Sequence, residues 1–175
     1  MILIGIDPAY RENGFAAAML DKSDEIDPLT FKVFDKYVHF LDWLANKAPE
    51  AAYVAVENSN LHKPVYRSSK ATTFNQASAL GVSVGKNQAA SQIAADLLEI
   101  KYGKNNVLQV SPKGKTKVPG YKIAILLAKD ILKTAELHKH VEKALRKEDC
   151  RSALLMLDKV VSLQMVKKRF HGIDF

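Results

Sequence analysis

The sequence predicts an α/β fold in which helices flank a mixed five-stranded sheet. Residues 1–6 and 52–56 form two runs with apolar residues at both alternating parities, which is typical of strands buried on both faces of a mainly parallel sheet. The runs end at Asp7 and Glu57. Ligands of open α/β sheets lie at the carboxyl ends of strands, and a carboxylate buried there is costly unless a cation meets it. The pattern therefore predicts a metal site at this edge.

The first third of the chain predicts three strands joined by turn-rich segments, for which an antiparallel meander is the simplest topology. A short amphipathic helix and a fourth strand follow. A helix in this place would be a crossover that returns the chain parallel to the first strand, which brings Glu57 beside Asp7. The predicted bounds are 1–7, 14–20 and 30–36 for the meander, 39–48 for the helix and 52–57 for the fourth strand.

A long helix, a fifth strand and two further helices complete the predicted order. In the long helix Gly81 and Gly85 stand four apart on one face, where they permit close approach of another backbone. The last helix opens with Glu148 and Asp149, which also suit a simple capping role at a helix N-terminus. The predicted bounds are 71–102, 107–110, 121–133 and 148–170.

Length and composition favour one domain over residues 1–175, because 47% hydrophobic content suffices for one well-buried core. The single cysteine, Cys150, excludes an internal disulfide framework and fits a reducing cytoplasm. No apolar stretch approaches the length of a membrane span, and Met1 leads directly into a core strand. We therefore expect a soluble cytoplasmic protein that is not secreted and has no membrane partner.

The charge is divided unevenly along the chain. Residues 1–100 carry a net charge of −3 and residues 101–175 a net charge of +10. A basic second half favours a polyanion such as nucleic acid, although solvated surface lysines give the same composition. The segment from 111 to 122 is a loop rich in Pro and Gly that carries four lysines, Lys113, Lys115, Lys117 and Lys122.

The motifs in this order resemble those of the RNase H-like fold, and more narrowly the RuvC-type Holliday junction resolvases. Ile4-Gly5-Ile6-Asp7-Pro8 followed by Gly14 looks like their opening motif, and Val54-Ala55-Val56-Glu57 looks like their second. The segment from Leu80 to Gly85 resembles the start of their long helix. Asp149-Cys150-Arg151-Ser152-Ala153 matches their closing motif in part, because Ser152 stands where the family has its fourth acid.

The resemblance implies phosphodiester hydrolysis in four-way or otherwise branched DNA, assisted by two Mg²⁺ or Mn²⁺ ions. Asp7, Glu57 and Asp149 would be the catalytic carboxylates and metal ligands, with Asp7 shared by both ions. Ser152 would be a weak fourth ligand, and Glu148 and Asp158 are the acids that replace it if the register differs. The resemblance also implies a homodimer, and the compact chain suits a phage-type enzyme in an infected bacterial cell. The expected DNA contacts are Lys113, Lys115, Lys117 and Lys122, together with Lys63, Tyr66 and Arg67 from the loop after Glu57.

Three other classes of protein share some of these features. Actin-like ATPases and sugar kinases share the Gly-Ile-Asp opening, but they need two such domains and a second glycine-rich phosphate loop. An RNase H-like nuclease for rRNA precursors remains open, as does a branched-DNA binding module that has lost an acid, which Ser152 favours. The histidines lack zinc-ligand spacing to each other or to Cys150, so zinc is not expected.

Overall fold

The computed structural model describes residues 1–8, 15–61, 73–111 and 118–171. Within these ranges five strands and five α-helices follow one another in the order that the sequence predicts, with one α-helix and two short 3-10 helices added. The strands are β1 (Ile2–Asp7), β2 (Phe15–Asp21), β3 (Leu29–Phe34), β4 (Tyr53–Glu57) and β5 (Val107–Val110). The helices are α1 (Tyr37–Asn46), α2 (Phe74–Tyr102), α3 (Tyr121–Leu132), α4 (Lys139–Leu145) and α5 (Glu148–His171).

The five strands form one sheet in the order β3-β2-β1-β4-β5. Strand β2 is antiparallel to both β1 and β3, whereas β1, β4 and β5 are parallel. An antiparallel meander that continues by helical crossovers into two parallel strands is the arrangement of the RNase H-like fold. The predicted fold class and the predicted pairing of β1 with β4 are therefore confirmed.

Helices cover both faces of the sheet, and alternate residues of each strand face opposite sides. Leu3 and Ala55 belong to the apolar cluster that includes α3, α4 and α5. Ile4 and Val54 belong to the cluster that includes α1 and α2. All four side chains are fully buried, which explains why the two central strands carry apolar residues at both parities.

Gly5 marks the place where α5 lies directly on the backbone of β1. A Cβ atom at this position would overlap the backbone nitrogen of Leu157 and the carbonyl oxygen of Ala153, and it would lie 2.7 Å from the Cα of Leu157. No side chain fits between the strand and the helix here. Glycine at position 5 therefore allows the closest packing of α5 on the centre of the sheet.

Several boundaries shift by one to three residues from the prediction, the largest shift being the start of α2 at Phe74 instead of residue 71, and one element was not predicted. The third strand ends at Phe34 and is followed by the exposed residues Asp35 and Lys36, and α1 begins at Tyr37, two residues earlier than predicted. The short helix α4 was not predicted, although Val141 and Leu145, four residues apart, supply its buried face. None of the helices within the described ranges is both long and apolar enough to cross a membrane.

Candidate metal centre at the carboxyl edge of the sheet

Asp7 and Glu57 end two neighbouring parallel strands at the same edge of the sheet. The register pairs Ile6 with Val56, so the acids that follow them are side by side, on strands about 4.8 Å apart. Both residues are half-buried, and the Oε2 atom of Glu57 is inaccessible to solvent. By strand alternation both acids share the parity of Gly5 and therefore face α5. The prediction that Glu57 lies beside Asp7 is confirmed.

Helix α5 runs antiparallel to the three parallel strands. Its second and third turns lie over Gly5, where Ala153 and Leu157 make the close backbone contacts. Further along the helix, Gln164 lines a cavity of about 200 Å³ with Tyr53, at the amino end of β4. The first turn of α5 must therefore lie toward the opposite edge, where the strands end.

This direction brings Asp149 to the level of the two strand acids. Asp149 precedes Ala153 by four residues, which corresponds to a rise of about 6 Å along the helix. Asp7 follows Gly5 by two residues, which corresponds to about 6.6 Å along the strand. Asp149 is half-buried on the stripe of α5 that contains Ala153. The three predicted carboxylates therefore approach one edge from the same side of the sheet.

Within the described ranges, however, no three or more His, Cys, Asp and Glu side chains form a group that could hold a metal ion. Asp7 and Glu57 are adjacent, but Asp149 does not complete a three-carboxylate cage with them. Mg²⁺ commonly binds through only one or two carboxylates, with water and substrate phosphate oxygens completing its shell. The carboxylates at this edge fit an Mg²⁺ ion of that kind, whose remaining ligands would be water and the phosphate oxygens of the substrate.

Ser152 and the two acids that could replace it, Glu148 and Asp158, lie in different environments along α5. Ser152 is only 3% exposed and belongs to the buried side of the helix. Glu148 is exposed at the helix start. Asp158 lies nine residues beyond Asp149, or about 13 Å along the helix. Burial, and to a smaller extent the carboxylate of Asp130 on α3, raises the pKa of Asp158. Along the helix axis Asp158 therefore lies further from the first turn than Ser152 does, and its part as a substitute for Ser152 stays a prediction.

Cys150 is a packed core residue. Its side chain is fully buried, and burial raises the pKa of the thiol to about 11. A thiol with this pKa stays protonated at neutral pH and is a poor nucleophile. The interpretation of Cys150 as a structural residue agrees with both observations.

Only one of the predicted DNA contacts falls within the described part of the chain. Lys122 is exposed in the first turn of α3, directly after the lysine loop. The remaining predicted contacts, which lie outside the described residues, are Lys63, Tyr66, Arg67, Lys113, Lys115 and Lys117.

Arg151 has a role that the sequence did not suggest. Its Nε donates a hydrogen bond to the carbonyl oxygen of Pro119 (2.9 Å), and its Nη1 donates to the carbonyl oxygens of Leu145 (3.1 Å) and Arg146 (2.9 Å). One guanidinium thus connects the end of the lysine loop to the end of α4, two residues after Asp149. The only signal in the sequence was a basic residue in the first turn of α5, where the helix dipole disfavours it.

The comparisons with known proteins give likenesses among solved structures only. No protein-family model matches the sequence, and no curated protein matches it. Among solved structures, the chain is similar to "T. thermophilus RuvC in complex with Holliday junction substrate". The sequence identity is 19% and the TM-score is 0.46, over 94% of this chain and 96% of that chain. A likeness of this degree does not identify a family.

Proposed function

We propose that the protein is a metal-dependent, structure-selective endonuclease that hydrolyses phosphodiester bonds in four-way or otherwise branched DNA. The observation that carries the proposal is the pairing of Asp7 and Glu57 at the ends of adjacent parallel strands, with Asp149 at the same level on α5. Carboxylates concentrated at a half-buried edge repel a phosphate backbone unless cations are present. Such a site suits chemistry in which divalent cations lie between protein and substrate.

In this proposal Asp7 would be a ligand common to both cations, and Glu57 and Asp149 would each help to hold one of them. Bound Mg²⁺ or Mn²⁺ would activate the attacking water and stabilise the leaving oxyanion. The protein supplies carboxylate oxygens and a fixed sheet edge to hold the cations. A nucleophilic side chain is not required, which agrees with the protonated, buried thiol of Cys150.

The DNA would lie across the edge of the sheet and the lysine loop. Lys113, Lys115, Lys117 and Lys122 are assigned to phosphate contacts because their density exceeds what solubility requires. Arg151 supports the assignment, since it fixes Pro119 at the end of this loop beside the first turn of α5. Lys63, Arg67 and Tyr66 would contact the DNA from the segment after Glu57.

A homodimer is part of the proposal, because a two-fold symmetric junction selects a two-fold symmetric enzyme. Helix α2 supplies a surface for it. Val82 and Val84 are 56% and 46% exposed, and Gly81 and Gly85 have no other part of the described chain within 4 Å of an added Cβ. A second copy of the helix would bury these residues. A phage-type resolvase in the cytoplasm of an infected bacterium is the setting that we propose.

Two other functions remain alternatives, and one of them is favoured by a particular observation. A branched-DNA binding module is favoured by Ser152 in place of an acid, and by the absence of a three-ligand group within the described ranges. An rRNA-precursor nuclease is compatible with the same strand acids, because carboxylates that hold cations serve phosphodiester hydrolysis in RNA as well as in DNA.

Cleavage of three substrates by one preparation separates these functions. The substrates are a synthetic four-way DNA junction, a linear duplex of the same sequence and a structured RNA, each with Mg²⁺, with Mn²⁺ and with chelator. We expect cleavage of the junction alone, only with metal, and a dimer by sedimentation at micromolar concentration. Binding of the junction without cleavage under any condition would indicate the binding module, and preferential cleavage of RNA would indicate the rRNA-processing nuclease.

A further inference from the structure

A buried asparagine, Asn58, fixes the backbone directly after Glu57. Asn58 is only 1% exposed, and its backbone N–H donates to the carbonyl oxygen of Val110 (2.9 Å) on β5. Its Oδ1 accepts hydrogen bonds from the backbone N–H (2.9 Å) and the side-chain Nδ2 (3.2 Å) of Asn60. Its Nδ2 donates to the Oε1 atoms of Gln109 (2.8 Å) and Gln92 (3.2 Å). Both polar atoms of the side chain are thus fully used.

Two carboxylates on α2 determine which atoms of this network donate hydrogen bonds and which accept them. Gln109 donates its Nε2 to the carboxylate of Glu99, and Gln92 donates its Nε2 to Asp96 (2.7 Å). An ionised carboxylate only accepts hydrogen bonds, so each glutamine must turn its Oε1 toward Asn58. Asn58 is then required to donate twice, which fixes the orientation of its amide.

The network and the candidate metal site lie on opposite faces of the same strand end. Asn58 faces α2, whereas Glu57, one residue earlier, faces α5. Fixing the side chain of Asn58 therefore fixes the backbone from which the Glu57 carboxylate projects. A buried polar network of this kind favours one arrangement because a partly satisfied one is costly.

We propose that Asn58 is a positioning residue: through Gln92 and Gln109, it holds the Glu57 carboxylate where a divalent cation binds. This inference rests on the proposed function, because it assigns the network to the same metal site. Groups that orient metal ligands commonly change metal affinity by about 10- to 100-fold when they are removed. A residue that served folding alone would change stability without changing metal affinity.

The test compares Asn58→Ala with Asn106→Ala. Asn106 donates its Nδ2 to the carbonyl oxygen of Tyr102 (2.8 Å), and it lies beside the amino end of β5, at the other edge of the sheet. The Mn²⁺ affinity of the DNA-free protein is measured from the electron paramagnetic resonance signal of free Mn²⁺, and thermal unfolding is followed alongside. We expect Asn58→Ala to weaken Mn²⁺ binding by about tenfold or more, and Asn106→Ala to leave it unchanged.

A charge-balanced double variant tests the polarity of the network. In Asn58→Asp the new carboxylate meets two Oε1 atoms, which is unfavourable. Adding Glu99→Gln lets Gln109 turn round, so that its Nε2 faces position 58 and its Oε1 accepts from position 99. We expect the double variant to bind Mn²⁺ more tightly than the Asn58→Asp single variant and to approach the wild-type affinity.

Three results would overturn the inference: unchanged Mn²⁺ affinity in Asn58→Ala, an equal loss in Asn106→Ala, or a double variant no better than the single one. Each of these results counts against the inference when the wild-type protein binds Mn²⁺ and cleaves the junction. A wild-type protein that neither binds Mn²⁺ nor cleaves any substrate contradicts the proposed function itself, and this inference with it.

Discussion

At the scale of single residues, the strand acids were predictable and the environment of the helix residues was not. Asp7 and Glu57 are each preceded by a buried apolar run, and strand parity then decides which face they share. The burial of Ser152 depends on the rotation of α5 about its axis, which close packing at Gly5 determines. Local sequence carries little information about that rotation, because both sides of the helix are rich in Leu, Val and Met.

Ser152→Asp tests whether this position faces the proposed site. A carboxylate at a position only 3% exposed costs several kcal/mol unless a cation meets it. We expect the metal-free variant to melt roughly 6–12 °C below the wild type, and Mg²⁺ or Mn²⁺ to raise its melting temperature more than that of the wild type. Cleavage should then reach half its maximal rate at a lower metal concentration.

The matched control for this experiment is Ser162→Asp, because Ser162 is exposed on the same helix. Its melting temperature should stay near that of the wild type, with and without metal. If added metal shifted Ser152→Asp no more than the wild type, position 152 would face the core instead of the site.

At the scale of elements, hydrophobic periodicity predicted the strands and most of the helices, and tertiary contacts set their ends. The hydroxyl of Tyr37 donates to the carbonyl oxygen of Ala90 (3.1 Å), which ties the first turn of α1 to α2. Burial raises the pKa of this hydroxyl to about 12. A contact across 53 residues is invisible in a local pattern, which is why α1 was predicted to begin too late.

Gly5→Ala tests the direct packing of α5 on β1. The added methyl group would overlap backbone atoms of Ala153 and Leu157, and backbone yields less readily than a flexible side chain. We expect the free energy of unfolding in urea to fall by about 3 kcal/mol or more. Because α5 also places Asp149, cleavage should fall even where the variant is still folded.

The control for overpacking is Gly120→Ala, since a Cβ at Gly120 meets nothing within 4 Å. Gly120 caps the N-terminus of α3, where replacing Gly by Ala costs about 1 kcal/mol or less. Equal stability losses in the two variants would contradict the close approach of α5 to the sheet.

At the scale of the whole molecule, the sheet brings together acids that stand far apart in the sequence. The sequence predicted this convergence for Asp7 and Glu57 from the crossover rule. The place of Asp149 relative to the pair depends on how α5 lies across the sheet, and no sequence pattern predicts it to within a metal–ligand distance. In the proposed function, the acids at this edge hold the cations and the basic second half of the chain binds the DNA.

The most direct test of the central claim is the cleavage of a four-way junction by Asp7→Asn, with junction binding measured on the same preparation. The claim predicts that cleavage with Mg²⁺ or Mn²⁺ becomes undetectable, because a shared ligand is lost, while binding stays equal or becomes tighter as a charge that repels phosphate is removed. Asp42→Asn is the control, since Asp42 is exposed on α1 and pairs there with Lys47 at 3.7 Å. Near-wild-type cleavage by Asp7→Asn would contradict the assignment of the metal site.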